Sequence, residues 1–199
     1  AARLTGRPVH WMATRSESFL SDNQARDTIT EAALALDENG KFLALKIRHT
    51  ANMGAYVTAN GAFIQTSNFA RCFPGMYDIP KIGVEVKCLC TNTVPTGPYR
   101  GAGRPEANYV MERVVEEAAR ITGIDRVELR RRNLIPPSAI PYRTAVGTTF
   151  DSGDFRPVLD KALELAGYDT FPARRREAEQ RGKRRGFGIS CFLEHSGGM

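Results

Sequence analysis

Thr91-Asn92-Thr93-Val94-Pro95-Thr96-Gly97-Pro98-Tyr99-Arg100-Gly101-Ala102-Gly103-Arg104 is the stretch on which the fold turns. Two prolines and three glycines punctuate it, so it can be neither a regular strand nor a regular helix. Just before it, Ile82, Val84, Val86, Cys88 and Cys90 alternate with Gly83, Glu85, Lys87 and Leu89, the period of a strand. Just after it, Pro105 stands where a helix accepts proline. Ala107, Val110, Met111, Val114, Val115, Ala118 and Ile121 then recur at helical spacing until Gly123 stops the run. The order is strand, irregular loop, long amphipathic helix.

Within that loop, Gly101 and Gly103 lie beside the expected start of the helix, flanked by Arg100 and Arg104. Glycine allows backbone N–H groups to approach a ligand closely, and a first helical turn leaves N–H groups unpaired. Such a place suits phosphate or a metal-bound oxygen. A tight chain reversal explains the same spacing equally well. A dinucleotide-binding reading fits worse, because Gly101-Ala102-Gly103 lacks the third glycine and a proline-rich stretch separates it from the strand.

Outward from the loop, residues 27–56 read as a β-hairpin. Leu34 and Leu36 share one face of the first strand, and Leu43, Leu45 and Ile47 one face of the second. The Asn39-Gly40 pair between them supplies the positive φ angles of a tight turn. Residues 60–80, rich in Gly, Asn, Phe and Pro, read as an irregular loop with Phe63, Phe69, Phe73 and Tyr77 as anchors or as a funnel. On the other side, Asp125 and Glu128 suggest a capping box for a short basic helix ending near Asn133. Residues 135–154 read as loop, with Asp151 and Asp154 forming a turn and capping the next helix. That helix carries Phe155, Val158, Leu159, Ala162, Leu163 and Ala166 and closes at Gly167. A charged helix follows near 172–180, and 186–193 reads as a last strand. The expectation is an α+β fold of mixed strands and packed helices. Residues 1–104 are mainly β with the loop at their end, 105–182 mainly helical, and 183–199 a returning strand.

The chain has 199 residues, 42% apolar and 25% charged, enough for a real core. No apolar run nears the roughly 18 residues of a membrane span, and the first ten residues hold no signal-peptide core. The missing initiator Met, and an end at Gly198-Met199 just after an apolar run, read as cuts through a longer protein. Net charge is +6, gathered partly in Arg130-Arg131-Arg132 and in 174–185. Both clusters adjoin helices without interleaved aromatics, so solvated faces explain them better than nucleic acid. Cys72, Cys88, Cys90 and Cys191 lack metal-ligand spacing with His10, His49 and His195, and suggest reduced, buried thiols. Glu106 and Glu112 fall in or near the first helical turns, where negative charge is favourable, and Glu194 and His195 lack a nucleophile elbow.

The stretch from Thr91 to Ala107 closely resembles the active-site loop of molybdenum hydroxylases, where an aromatic residue precedes Arg-Gly-x-Gly and a proline. Thr5-Gly6-Arg7-Pro8-Val9, Asn52-Met53-Gly54-Ala55-Tyr56 and Leu129-Arg130-Arg131-Arg132-Asn133-Leu134 agree in order and spacing. Pro141-Tyr142 and Asp151-Ser152-Gly153-Asp154 resemble the family as well. The chain therefore resembles an internal part of the molybdopterin-binding subunit of the xanthine dehydrogenase, aldehyde oxidoreductase and aerobic carbon monoxide dehydrogenase family. The resemblance implies that the Arg100 backbone N–H donates beside the metal, with Gly101, Ala102 and Gly103 at the cofactor. It also implies that Tyr99, Arg104 and Phe69 border a substrate channel, and that no residue of the segment ligates the metal or serves as base. That base, a glutamate, and a glycine-rich cofactor segment are expected outside these residues. Ala102 stands where xanthine dehydrogenases carry Phe, which weakens a purine substrate. Gly101 stands where carbon monoxide dehydrogenases carry the copper-bearing Cys, which weakens carbon monoxide.

The implied activity is hydroxylation of an aldehyde or N-heterocycle with water. The implied cofactors are a molybdenum–pterin group here and iron–sulfur clusters and FAD on partner subunits. A cytoplasmic dimer of heterotrimers without nucleic acid or membrane span completes that expectation. A metal-free structural paralogue and a stand-alone anion-binding module are the alternatives.

Overall fold

A computed structural model describes residues 1–194. Helices α1 (Ala2–Thr5) and α2 (Arg15–Ser21) begin the chain and bury none of their residues. Strands β1 (Thr28–Leu36) and β2 (Phe42–Gly54) form the antiparallel hairpin, and β3 (Ile82–Cys90) adds to the other side of β2 in parallel. The sheet order is β1-β2-β3. Its inner face along β2 carries Phe42, Leu45, Ile47, His49 and Ala51, all buried.

Two details of the hairpin differ from the sequence reading. Of the Asn39-Gly40 pair only Gly40 has positive φ, at 79°. The Asp37 carboxylate closes the turn instead, accepting from the N–H groups of Asn39 and Lys41 at 2.9 and 2.8 Å. Beyond the turn, Ala35 pairs with Ala44 but Leu36 with Phe42, so Leu43 is the extra residue of a bulge. Phe42 takes the core position in its place and Leu43 stands exposed.

Residues 61–71 are helical, not an irregular loop. Helix α3 (Gly61–Phe63), a π-helical turn (Ile64–Asn68) and α4 (Phe69–Arg71) run continuously. The wide turn carries Ile64, Gln65, Asn68 and Phe69 inward together. Phe69, Phe73 and Tyr77 are buried anchors, while Phe63 is exposed. β3 is an edge strand, so Cys88 and Cys90 are exposed and not buried thiols.

Helix α5 (Arg104–Thr122) packs against β1 and against α6 (Arg126–Asn133). Its buried residues are Ala107, Met111, Glu112, Val115, Ala118 and Ala119, and Ile121 at its end is exposed. The carboxylate of Asp125 caps α6 by accepting from Val127 and Glu128, while Glu128 turns to Arg132 instead of completing a capping box.

Arg130 is not on a solvated face. Its side chain is fully buried, with Nη2 2.9 Å and Nε 3.1 Å from Glu112 Oε2. Nη1 donates to the Arg126 carbonyl at 3.0 Å and meets Glu116 Oε1 at 2.8 Å. Tyr77 Oη completes the network by donating to Glu112 Oε1 at 2.6 Å. Burial alone would lower the Arg130 pKa, but the Glu112 charge outweighs it and the guanidinium is held above its usual range. Burial and then Glu112 push the Tyr77 hydroxyl well above its usual range. Just over two helical turns into α5, Glu112 thus acts as a buried counter-ion and not as a dipole partner.

Asn133 joins α6 to the hairpin. Its Oδ1 accepts from Phe42 N–H at 2.7 Å, and its Nδ2 donates to the Gly40 and Leu129 carbonyls. Arg131, half-buried, pairs with Asp160, and the exposed Arg132 reaches the Asn39 carbonyl, so of the run only Arg130 lies in the core.

The remaining chain covers this core. A small ladder joins β4 (Tyr142–Arg143) to β5 (Thr149–Phe150), followed by α7 (Phe155–Ala166) and α8 (Phe171–Gln180). Asp154 occupies the N-cap position of α7, but its side chain makes no cap bond. Residues 183–194 form no helix or strand and have no ladder partner among the described residues, so the expected strand is not formed there. Phe187, Ile189, Cys191 and Leu193 still turn one face inward, as alternation requires. The part of that strand at 195–199 lies outside the described residues.

Replacing Arg130 with Met leaves the Glu112 carboxylate buried without its cation, and should destabilise the protein by about 3–5 kcal/mol. Urea unfolding at constant slope measures this; a loss below about 1 kcal/mol would place the pair in the cheap, solvated class.

Candidate active-site loop

The 91–104 segment is held to the sheet end by polar side chains and close glycine contacts. Asn52 near the end of β2 is the hub: Nδ2 donates to Asp27 Oδ2 at 2.7 Å and to Thr93 Oγ1 at 2.9 Å, while Oδ1 accepts from Thr91 Oγ1 at 2.7 Å. Gly54 lets the chains touch, since a Cβ there would lie 2.3 Å from the Val94 carbonyl. Thr96 is fully buried, with Oγ1 donating to the Asn52 carbonyl and its own carbonyl accepting from Thr58 Oγ1.

The loop then turns through Gly101, Ala102 and Gly103, whose φ angles are 87°, 44° and 95°. Ala102 is the only non-glycine with positive φ among the described residues. Such a conformation costs on the order of 1–3 kcal/mol and persists only where the surroundings impose it. Here Asn68 Nδ2 donates to the Ala102 carbonyl, and the Ala102 N–H returns to the Tyr99 carbonyl at 2.8 Å. Gly103 rests on the π-helical turn, with its hypothetical Cβ 2.3 Å from the Ile64 carbonyl. Gly103 also precedes α5 directly, as its N-cap residue.

The backbone N–H groups of Arg100, Gly101 and Gly103 donate to no backbone carbonyl among the described residues. Arg100 is exposed, Gly101 and Ala102 half-buried and Gly103 buried, so the first two face outward. Gln65 Nε2, in the same π-helical turn, is a buried donor without a hydrogen-bond partner. Unspent donors beside a cationic side chain fit an anionic, oxygen-rich group, which is what a molybdenum–pterin cofactor presents.

The structure brings Tyr99, Arg100, Gly101, Ala102, Gly103 and Arg104 together on this one turn. Tyr99 is exposed, and Arg104 pairs with Glu194. Phe69 lies beneath the turn, fully buried, its ring stacked on His49 with centroids 3.9 Å apart. Its place is therefore that of a support. Burial lowers the His49 pKa, so its imidazole is neutral between Thr30 Oγ1 and Gln65 Oε1. Sequence reading passed over Arg26, Asn68 and the Ile64 carbonyl, each of which touches the turn.

Residues 1–134 match the family described as Molybdopterin cofactor-binding domain. The chain belongs to that family. It is 34% identical to the carbon monoxide dehydrogenase large chain of Hydrogenophaga pseudoflava, over 98% of this chain and 25% of that one. It is 29% identical to the 6-hydroxypseudooxynicotine dehydrogenase complex subunit gamma of Paenarthrobacter nicotinovorans, over 99% and 25%. Among solved structures, quinoline 2-oxidoreductase from Pseudomonas putida 86 superposes with TM-score 0.81 at 32% identity, covering 91% of this chain and 23% of that one. The chain thus spans about a quarter of the length of these relatives. No helix among the described residues is long and apolar enough to cross a membrane.

Gly103→Ala should cost more than about 2 kcal/mol, because the new Cβ meets a backbone carbonyl that cannot step aside. Gly75 has φ 67° but open space around it, so Gly75→Ala should cost only about 1 kcal/mol. Urea midpoints of the two variants decide the point; equal losses would mean that Gly103 is not wedged against Ile64.

Proposed function

We propose that this chain forms one side of the molybdenum–pterin site in the large subunit of a molybdenum hydroxylase acting on an aldehyde or N-heterocycle. The carrying observation is the left-handed turn at Gly101–Gly103, which leaves N–H donors unspent beside Arg100. When bound, the cofactor supplies the two-electron redox chemistry that places an oxygen atom from water on a substrate carbon.

On this reading the chain's own part is binding and orientation. The outward-facing Arg100 and Gly101 N–H groups hold the cofactor's oxygens, Gly103 seats the turn against Ile64, and Ala102 keeps the space above the turn open. Tyr99 and Arg104 border the channel by which substrate approaches, and Phe69 braces the turn from below. Two carboxylates lie beside the turn, Glu106 with Oε1 paired to Arg26 and Glu194 paired to Arg104. The proton-accepting glutamate that the family resemblance implies comes from another part of the subunit. Gly101 stands where the resemblance puts the copper-bearing Cys of carbon monoxide dehydrogenases and offers no thiolate, which weakens carbon monoxide as the substrate. Electrons leave through iron–sulfur clusters and FAD on partner subunits, in a cytoplasmic dimer of heterotrimers. Four unpaired cysteines suit that reducing compartment.

The test is the molybdenum and pterin content of the full-length parent protein purified with its neighbouring subunits. Near-stoichiometric molybdenum, with turnover of an aldehyde or N-heterocycle that Gly101→Val abolishes, is the expected result. A well-folded parent without molybdenum or pterin would overturn the reading in favour of a metal-free structural paralogue.

A further inference from the structure

Arg26 lies just before β1, far in sequence from the turn, yet it meets the turn at three points. Its Nη2 donates to the Arg100 carbonyl at 2.8 Å. Its Nε lies 2.9 Å from Glu106 Oε1 in the first turn of α5. Its guanidinium carbon stands 5.2 Å from the centroid of the Tyr99 ring. The planar fork of arginine holds a carbonyl and a carboxylate at fixed spacing, a geometry that the compact ammonium of lysine does not reproduce.

The backbone that presents Arg26 is fixed on both sides. Gln24 bonds to the loop, donating from N–H to the Pro95 carbonyl and accepting from Gly97 N–H at 3.1 and 2.9 Å. Asp27 is held by Asn52, whose N–H reaches the Asp27 carbonyl at 2.9 Å. The Glu106 side chain that steadies the guanidinium is itself almost fully buried.

Arg100 C=O and Gly101 N–H belong to one peptide plane, so they point in opposite directions. A cation holding the carbonyl therefore turns the Gly101 N–H the other way, away from Arg26. We propose that Arg26 is a positioning residue, which through the Arg100 carbonyl aims the Gly101 N–H toward the cofactor site. The role rests on the cofactor reading above, because an aimed N–H needs an acceptor. Tyr99 follows the same restraint, since its ring is the third surface that Arg26 covers.

The test uses the full-length parent complex, after its wild-type molybdenum content has been measured. Absence of molybdenum from the wild type refutes the cofactor reading itself, independently of Arg26. With a loaded wild type, Arg26→Gln and Arg26→Lys are compared by molybdenum content, the molybdenum electron paramagnetic resonance spectrum, kcat and KM. Loss of an outer-shell partner lowers activity by about 10–100-fold, and this should fall mainly on kcat in Arg26→Gln with an altered spectrum. Arg26→Lys, keeping the charge but not the planar fork, should lie between. Amide exchange of the 99–104 peptide should rise in both variants while the β1–β2 hairpin stays protected. Wild-type spectrum, kcat and loop exchange in a loaded Arg26→Gln complex would overturn the proposal. If Arg26→Gln does not assemble, Arg26→Lys decides alone: wild-type values overturn the role, and a shifted spectrum with reduced kcat supports it.

Discussion

The Ile64 carbonyl stands where a Cβ at Gly103 would have to be, 2.3 Å from that position. This contact sets the order of everything around it. To bring a carbonyl so close, the chain after β2 widens into a π-helical turn, which directs Ile64, Gln65, Asn68 and Phe69 to one side. To receive it, the loop must offer glycine, and it must arrive in a left-handed conformation over three residues. Asn68 then fastens the middle of the turn, and α5 starts at its far end. The backbone is strained where the donors are offered, and the surroundings impose the strain.

Rigidity behind the turn comes from buried charge. Arg130, Glu112 and Tyr77 lock α5, α6 and the segment after α4 to one another. Taking such groups out of water is costly, so the arrangement holds only while every member finds its partner. A hydrophobic exchange at the same place could be as stable but would not fix the rotation of α5. That rotation decides where Glu106 emerges, and so where Arg26 is held. The hub at Asn52 does the same for the loop's entry as this network does for its exit.

Much of this was legible beforehand. Alternation in 82–90 and helical spacing in 107–118 depend on burial of one face, and both elements formed where the pattern put them. The loop was readable because proline and glycine exclude regular structure locally. Much of what failed depends on a partner distant in sequence. A run of three arginines reads as solvated until Glu112, Glu116 and Asp160 are seen to meet it. The bulge at Leu43 depends on which residue the core can accept, not on the strand's own alternation. The 61–71 helix lacks a clean period because a π turn breaks it, and 186–193 has strand alternation without a ladder. Likewise Ala102 carries no sign of its left-handed φ, and Arg26 carries none of its contact with Arg100.

The central claim is spatial: the backbone donors of the turn at Arg100 to Gly103 face the molybdenum–pterin group. A cryo-electron microscopy map of the loaded parent complex tests it most directly. The account predicts the oxygens of the cofactor within hydrogen-bond reach of the Arg100 or Gly101 N–H, with the Gly103 Cα seated against the Ile64 carbonyl. Cofactor density lying elsewhere, with solvent or another protein segment against that turn, would contradict it.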